Sequence, residues 1–348
     1  MKIVRASLAL LHTAAEFIAH TGGRSSATPR ESGSCHSAIP RGHTALCITL
    51  ALAILASACS RHLPPTPAPS LDPARFDGTR AFTETAAIVA IGPRPSGSPG
   101  AEKTATHIAD RLRAQGASVE IDTFTDDTPA GPITFRNVIG TFGHAGDPIV
   151  LLSHYDTKIG IDPAFVGAND SGSSTGLLLA LAKILKDRPP TAPTILLAFV
   201  DGEECRQAYS DHDGLHGSRR LATQLTGTGK HIRAVILLDM VGDRDLTITI
   251  PRNSSPELVT VAFAAAQAEG VRHQFSLLRG EILDDHVPFF ERQIPAIDLI
   301  DFQYGSAPGK NDYWHTPQDT LDKLSPESLQ TMGRIVLRML NTLEARPL

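Results

Sequence analysis

The 348-residue chain predicts an α/β fold, a three-layer sandwich around a central mixed β-sheet. Three observations carry that expectation. Strand-length and helix-length apolar segments alternate from residue 76 to the C-terminus, the order that builds a sheet with helices on its faces. Several short runs are continuously rich in Ile, Leu and Val, as in strands buried on both faces. The run 194–200 then ends abruptly in Asp201-Gly202-Glu203-Glu204, and α/β sheets place their ligand sites beyond the carboxyl ends of their strands.

The elements follow in order. Residues 76–91 carry apolar positions at helical spacing and stop at Gly92-Pro93-Arg94-Pro95. Gly97-Ser98-Pro99-Gly100 opens a helix over 101–115, with Ile108 and Leu112 on one face and Gly116 closing it. Strands are predicted at 118–124, 135–140 and 149–153, then a helix at 177–185 and the strand 194–200. A helix at 218–225 and a buried strand at 234–238 come next. A short strand at 246–250, a helix at 256–268 and a strand at 294–300 lead to the closing helix, 326–343. Its buried stripe is Leu329, Met332, Ile335, Val336 and Met339. No repeat and no second boundary interrupts 76–348, which reads as one domain.

Hydrophobic residues at 41% and charged residues at 20% suffice for a sizeable core. A net charge of -5 without any basic run gives no footprint for nucleic acid, so none is expected as a partner. Cys35, Cys47 and Cys59 precede the folded region; Cys205 is left unpaired and reads as a small buried space-filler.

Ahead of the domain, residues 1–40 show no sustained periodicity and are assigned no fold. Arg41-Gly42-His43, an apolar run over 44–58 and small residues before Cys59 describe an export signal. The run is shorter than the ~20 apolar residues of a membrane-spanning helix. Leu55-Ala56-Ser57-Ala58-Cys59 resembles a bacterial lipoprotein box, which implies a lipid anchor through Cys59. The expectation is an exported protein, periplasmic or membrane-anchored. Residues 60–75, with Pro64, Pro65, Pro67 and Pro69, read as an extended tether.

Two adjacent glutamates repel each other unless one meets a cation or holds a proton. Glu203-Glu204 therefore suggests a general base beside a metal ligand. Four further ligand-type residues follow predicted strands or turns. His154 lies in Ser153-His154-Tyr155-Asp156 and Asp170 in Gly167-Ala168-Asn169-Asp170-Ser171-Gly172. Asp239 lies in Leu238-Asp239-Met240 and His315 in Trp314-His315-Thr316. Zinc takes His nitrogen and carboxylate oxygen, and a catalytic zinc keeps one position open.

In this order, these motifs resemble the zinc aminopeptidases and their relatives the glutaminyl-peptide cyclotransferases (glutaminyl cyclases), over about residues 76–348. The resemblance implies an α/β zinc-exopeptidase fold, with Glu203 as general base and Glu204 as zinc ligand, acting on peptide or protein N-termini. Asp213-Gly214-Leu215-His216-Gly217-Ser218 and Asp284-Asp285-His286-Val287-Pro288-Phe289 are similar to cyclase segments, and Trp314 matches the cyclases' aromatic wall. Asp284 would then share a proton network with Asp239. Tyr209 stands where animal cyclases carry a substrate-binding tryptophan, Asp298 replaces a supporting histidine, and the animal enzymes' disulfide is missing.

Two catalytic readings follow from the resemblance. A cyclase holds one zinc on Asp170, Glu204 and His315, and Glu203 moves the proton as an N-terminal Gln closes to pyroglutamate. An aminopeptidase adds a second zinc on His154 and Asp239, with Asp170 bridging, and hydrolyses the first peptide bond. A third reading, an inactive exported metal-binding module, has no use for the base Glu203.

Overall fold

A computed structural model describes residues 70–345. The extension 1–40, the export segment 41–59 with Cys59, and the proline stretch to 69 lie outside the described residues. The strands are β1 (Ser118–Thr128), β2 (Gly131–Phe142), β3 (Ala145–His154), β4 (Pro193–Val200), β5 (Ala234–Asp239), β6 (Ile248–Ile250), β7 (Phe275–Leu277) and β8 (Ala296–Ile300). The helices are α1 (Gly78–Ile91), α2 (Pro99–Ala114), α3 (Ser174–Leu185), α4 (His216–Gly227), α5 (Pro256–Ala268), α6 (Val287–Phe290) and α7 (Pro326–Ala345).

One eight-stranded sheet runs in the order β1-β2-β4-β3-β5-β8-β6-β7. Its centre is parallel: β3 pairs with β4 and with β5, and β5 with β8. Antiparallel pairs, β1 with β2, β2 with β4 and β6 with β8, make it a mixed sheet. Side chains alternate between faces along each strand. Ile149, Leu151, Ile195, Leu197, Phe199 and Ile236 therefore enter a core with α1, α2, α3, α5 and α7. Val150, Leu152, Ala198, Val200 and Leu237 enter a second core, closed by Leu221 of α4 and Phe289 of α6. Helices on both faces complete the three layers.

The differences from expectation have local causes. β1 and β2 run on to Thr128 and back from Gly131 as one hairpin, pairing polar residues such as Asp126 and Asp127 on the open edge of the sheet. Apolar runs alone end these strands too early. α1 begins at Gly78 because Asp77 caps it, accepting from the Arg80 N–H at 3.0 Å. Leu71 is buried, and Asn341 brackets its backbone, accepting from its N–H at 2.7 Å and donating to its carbonyl at 2.6 Å. The segment 71–75, placed in the tether by composition, thus packs on the closing helix. Cys205 is free and buried.

Candidate metal centre

Because β3, β4 and β5 run parallel, their carboxyl ends share one rim. His154 ends β3, Asp239 ends β5, and Asp201-Gly202-Glu203-Glu204 follows β4. Gly202 turns the chain there at φ 81°, and a Cβ on it would lie 2.5 Å from the Phe135 ring. Only glycine fits that turn. Asp170 projects from an irregular turn over Ala168–Ser173 ahead of α3, with extended backbone angles and a cis bond to Ser171. His315 arrives from the loop before α7 in the left-handed region, φ 54°.

Asp170 stands between the two histidines. Its Oδ1 lies 3.1 Å from His154 Nε2, and its Oδ2 lies 3.2 Å from His315 Nε2. Glu204 Oε1 is 2.9 Å from His315 Nε2, and Asp239 Oδ1 is 3.4 Å from His154 Nε2. Two candidate ligand sets result, Asp170–Glu204–His315 and His154–Asp170–Asp239, each with its ligand-type atoms within 4.8 Å of one another. All but the half-buried His315 are buried.

These residues fit a zinc ion. His154 Nε2 and Asp239 Oδ1, which face each other, are buried with no aligned hydrogen-bond partner. Buried polar atoms are normally paired, so orphaned nitrogen and carboxylate donors turned to a common centre favour a cation of zinc's ligand preference. Electrostatics agree. Burial pushes the Asp170 carboxyl up, but the bonds to His154 and His315 outweigh it and hold it well below the usual range. Burial opposes charge on His315 too, yet Asp170 and Glu204 raise it to about 10. Such shifts mark a site whose charges are mutually dependent.

Beside the candidate ligands stand two further buried carboxyls, Glu203 and Asp284. Burial and then the Glu204 charge raise Glu203 well above the ordinary glutamate value. Burial, Asp239 and Asp285 do the same to Asp284. Both line a cavity of about 280 Å³ with Tyr209, Phe302 and Trp314. The Trp314 ring stacks on His315 at 4.0 Å and 22°, and Phe302 stands 5.2 Å from Trp314. The Tyr209 hydroxyl donates to Glu203 Oε1 at 2.7 Å. Asp298 is buried, 3.9 Å from His286 Nδ1, with neither oxygen hydrogen-bonded.

Three supports escaped the sequence reading. Asp319 accepts from the backbone N–H groups of Asn169 at 2.7 Å and Asp170 at 3.2 Å, and from the Tyr304 hydroxyl at 2.8 Å. Asp156 accepts from the N–H groups of Glu203 and Glu204, each at 3.2 Å. Arg94, fully buried, donates to the carbonyls of Tyr155 at 2.6 Å, Gly167 at 2.8 Å and Val166. Asp156 carried a faint signal through its closeness to His154. Asp319 and Arg94 carried none, because each works through backbone groups far away in sequence.

Comparison with known proteins fits this geometry. Residues 137–340 match the profile of Peptidase family M28. The chain belongs to that family. This M28 chain is 32% identical over 302 residues to the glutaminyl-peptide cyclotransferase-like protein of Mus musculus, spanning 76% of this chain and 74% of that one. The crystal structure of a glutaminyl cyclase from an Acidobacteriales bacterium superposes with a TM-score of 0.73 at 40% identity, covering 81% of this chain and 99% of that one. A leucine aminopeptidase precursor from Bacteroides thetaiotaomicron gives 0.69 at 26% identity, covering 78% and 99%. Cyclases and an aminopeptidase thus share the fold with this M28 chain.

Proposed function

We propose that this chain is a zinc-dependent glutaminyl-peptide cyclotransferase, converting the N-terminal Gln of peptides or proteins to pyroglutamate with release of ammonia. Asp284 carries the reading. A second buried carboxyl held well above its ordinary value shares a small, aromatic-walled cavity with Glu203. Ring closure takes a proton from the substrate's own amine and gives one to the departing ammonia, with no water consumed. A pocket with two proton-holding carboxyls suits that chemistry. The likeness at 40% identity to a solved glutaminyl cyclase supports it.

Asp170, Glu204 and His315 would hold zinc, which when bound supplies Lewis-acid polarisation of the side-chain amide. Glu203 takes the proton from the attacking α-amine and passes it to the leaving nitrogen. Asp284, whose carboxyl burial and the Asp239 charge push up, would hold a proton at the amide. Trp314 and Phe302 confine the glutamine side chain and keep water out. A cavity near 280 Å³ lies just below the usual ~300–1,000 Å³ of small-molecule pockets, a size for one terminal residue and not for a longer peptide. The export segment would place this activity in the periplasm or at a membrane, on a lipid anchor at Cys59.

The set His154–Asp170–Asp239 favours a second reading. With a second zinc there, Glu203 would take its proton from an attacking water, and the chain would be an aminopeptidase. Incubating the purified protein with one peptide beginning in Gln and one beginning in Leu, read by mass spectrometry, separates the two. Loss of ammonia from the first is expected; free leucine from the second would transfer the chain to the aminopeptidases.

A further inference from the structure

Tyr209 is built to do more than wall a pocket. Its hydroxyl meets Glu203 Oε1 at 2.7 Å, whereas Glu204 has its own partner, Lys158 Nζ, 3.3 Å from Oε2. The two neighbouring carboxylates therefore have different neighbours, a hydroxyl donor for Glu203 and an ion-paired ammonium for Glu204.

The tyrosine is itself held. Gly214 takes φ 83°, and a Cβ there would lie 2.4 Å from Tyr209 Cδ1 and 3.0 Å from the Glu203 carbonyl. Glycine alone lets the ring lie against this turn. The loop that carries the ring is tied down by one carboxylate. Asp213 accepts from the N–H groups of Arg206 at 2.6 Å, Gln207 at 2.8 Å and Ala208 at 3.0 Å. Ser210 and Asp213 also exchange two backbone bonds, at 3.0 and 3.3 Å. The Lys158 ammonium stands 5.7 Å from the ring centroid. An apolar wall needs none of this aim, and a phenylalanine would serve.

We propose that Tyr209 is a positioning residue that pins Glu203 through Oε1 and leaves Oε2 to exchange the proton with substrate. The inference rests on Glu203 being the base, whichever of the two reactions that base serves. A carboxylate with one oxygen tethered presents the other at a fixed place, and misplacement of a catalytic group by an ångström is felt mainly in turnover.

The test is Tyr209→Phe, which keeps the ring, assayed on whichever of the Gln-peptide and Leu-peptide is turned over. We expect kcat to fall roughly tenfold or more, the worth of a hydrogen bond to a charged group, with KM within about twofold. A mere wall would lose nothing in Tyr209→Phe and would show raised KM in Tyr209→Leu; that pattern overturns the proposal. Adding Tyr209→Phe to Glu203→Gln separates the two levels of inference. If Glu203→Gln retains only a measurable residue of turnover and adding Tyr209→Phe lowers it no further, Tyr209 acts through Glu203. If Glu203→Gln is inactive and Tyr209→Phe alone is fully active, the positioning role fails and the base stands. If Glu203→Gln is fully active, the base fails and the positioning role with it.

Discussion

Glu203 and Glu204 are adjacent and both buried, yet their surroundings give them different work. Glu204 faces His315 and Lys158, while Glu203 faces the cavity with Tyr209. Replacing Glu203 by Gln keeps the shape and removes the proposed proton carrier. Turnover should fall roughly 10²- to 10⁴-fold, while metal analysis finds the zinc content unchanged. Asp319 tests the support of the ligands. Asp319→Ala leaves the Asn169 and Asp170 N–H groups and the Tyr304 hydroxyl without their acceptor, so Asp170 loosens. Zinc affinity should drop roughly 10- to 100-fold in a chelator competition, and an unchanged affinity would sink that role. Away from the site, burial raises Asp243 to about 6. An acid raised on folding favours the folded state below its unfolded value, and that advantage disappears as pH climbs through the folded one. Asp243→Asn should therefore raise Tm near neutral pH and change it much less near pH 4, as scanning calorimetry at the two pH values would show.

At the scale of elements, the turn after β4 is the sensitive joint. Gly202→Ala forces a side chain into φ 81° and against Phe135, at about 1–3 kcal/mol of strain. Urea unfolding should show that loss, and activity should fall with it because the glutamates follow directly. A variant as stable and active as the parent would mean the turn relaxes freely. The central strands were legible because both of their faces are buried, so β3, β4 and β5 read as unbroken apolar runs. The hairpin ends, β7 and α6 were not. β7 is three residues long with two exposed, α6 is a single turn of four, and the hairpin extension pairs polar residues. Tertiary pairing, not local pattern, makes those segments regular.

Over the whole molecule, the parallel centre of the sheet gathers residues spread from His154 to His315 onto one rim. The ligand types and their order could be read from the motifs; their supports could not. Asp319 and Arg94 stabilise the site through backbone groups, which leave no mark in residue spacing. The Tyr209 hydroxyl on Glu203 likewise needed geometry, since a tyrosine after the glutamates reads only as an aromatic. Asp170 touches both histidines and belongs to both candidate ligand sets, so the number of ions bound separates the proposed cyclase from the aminopeptidase reading. The direct measurement is stepwise addition of zinc to metal-free protein, following ammonia released from a peptide with N-terminal Gln. Release that rises to its full rate at one zinc per chain is the predicted result. No ammonia at any loading, with free N-terminal residues appearing only as a second zinc is taken up, would contradict it.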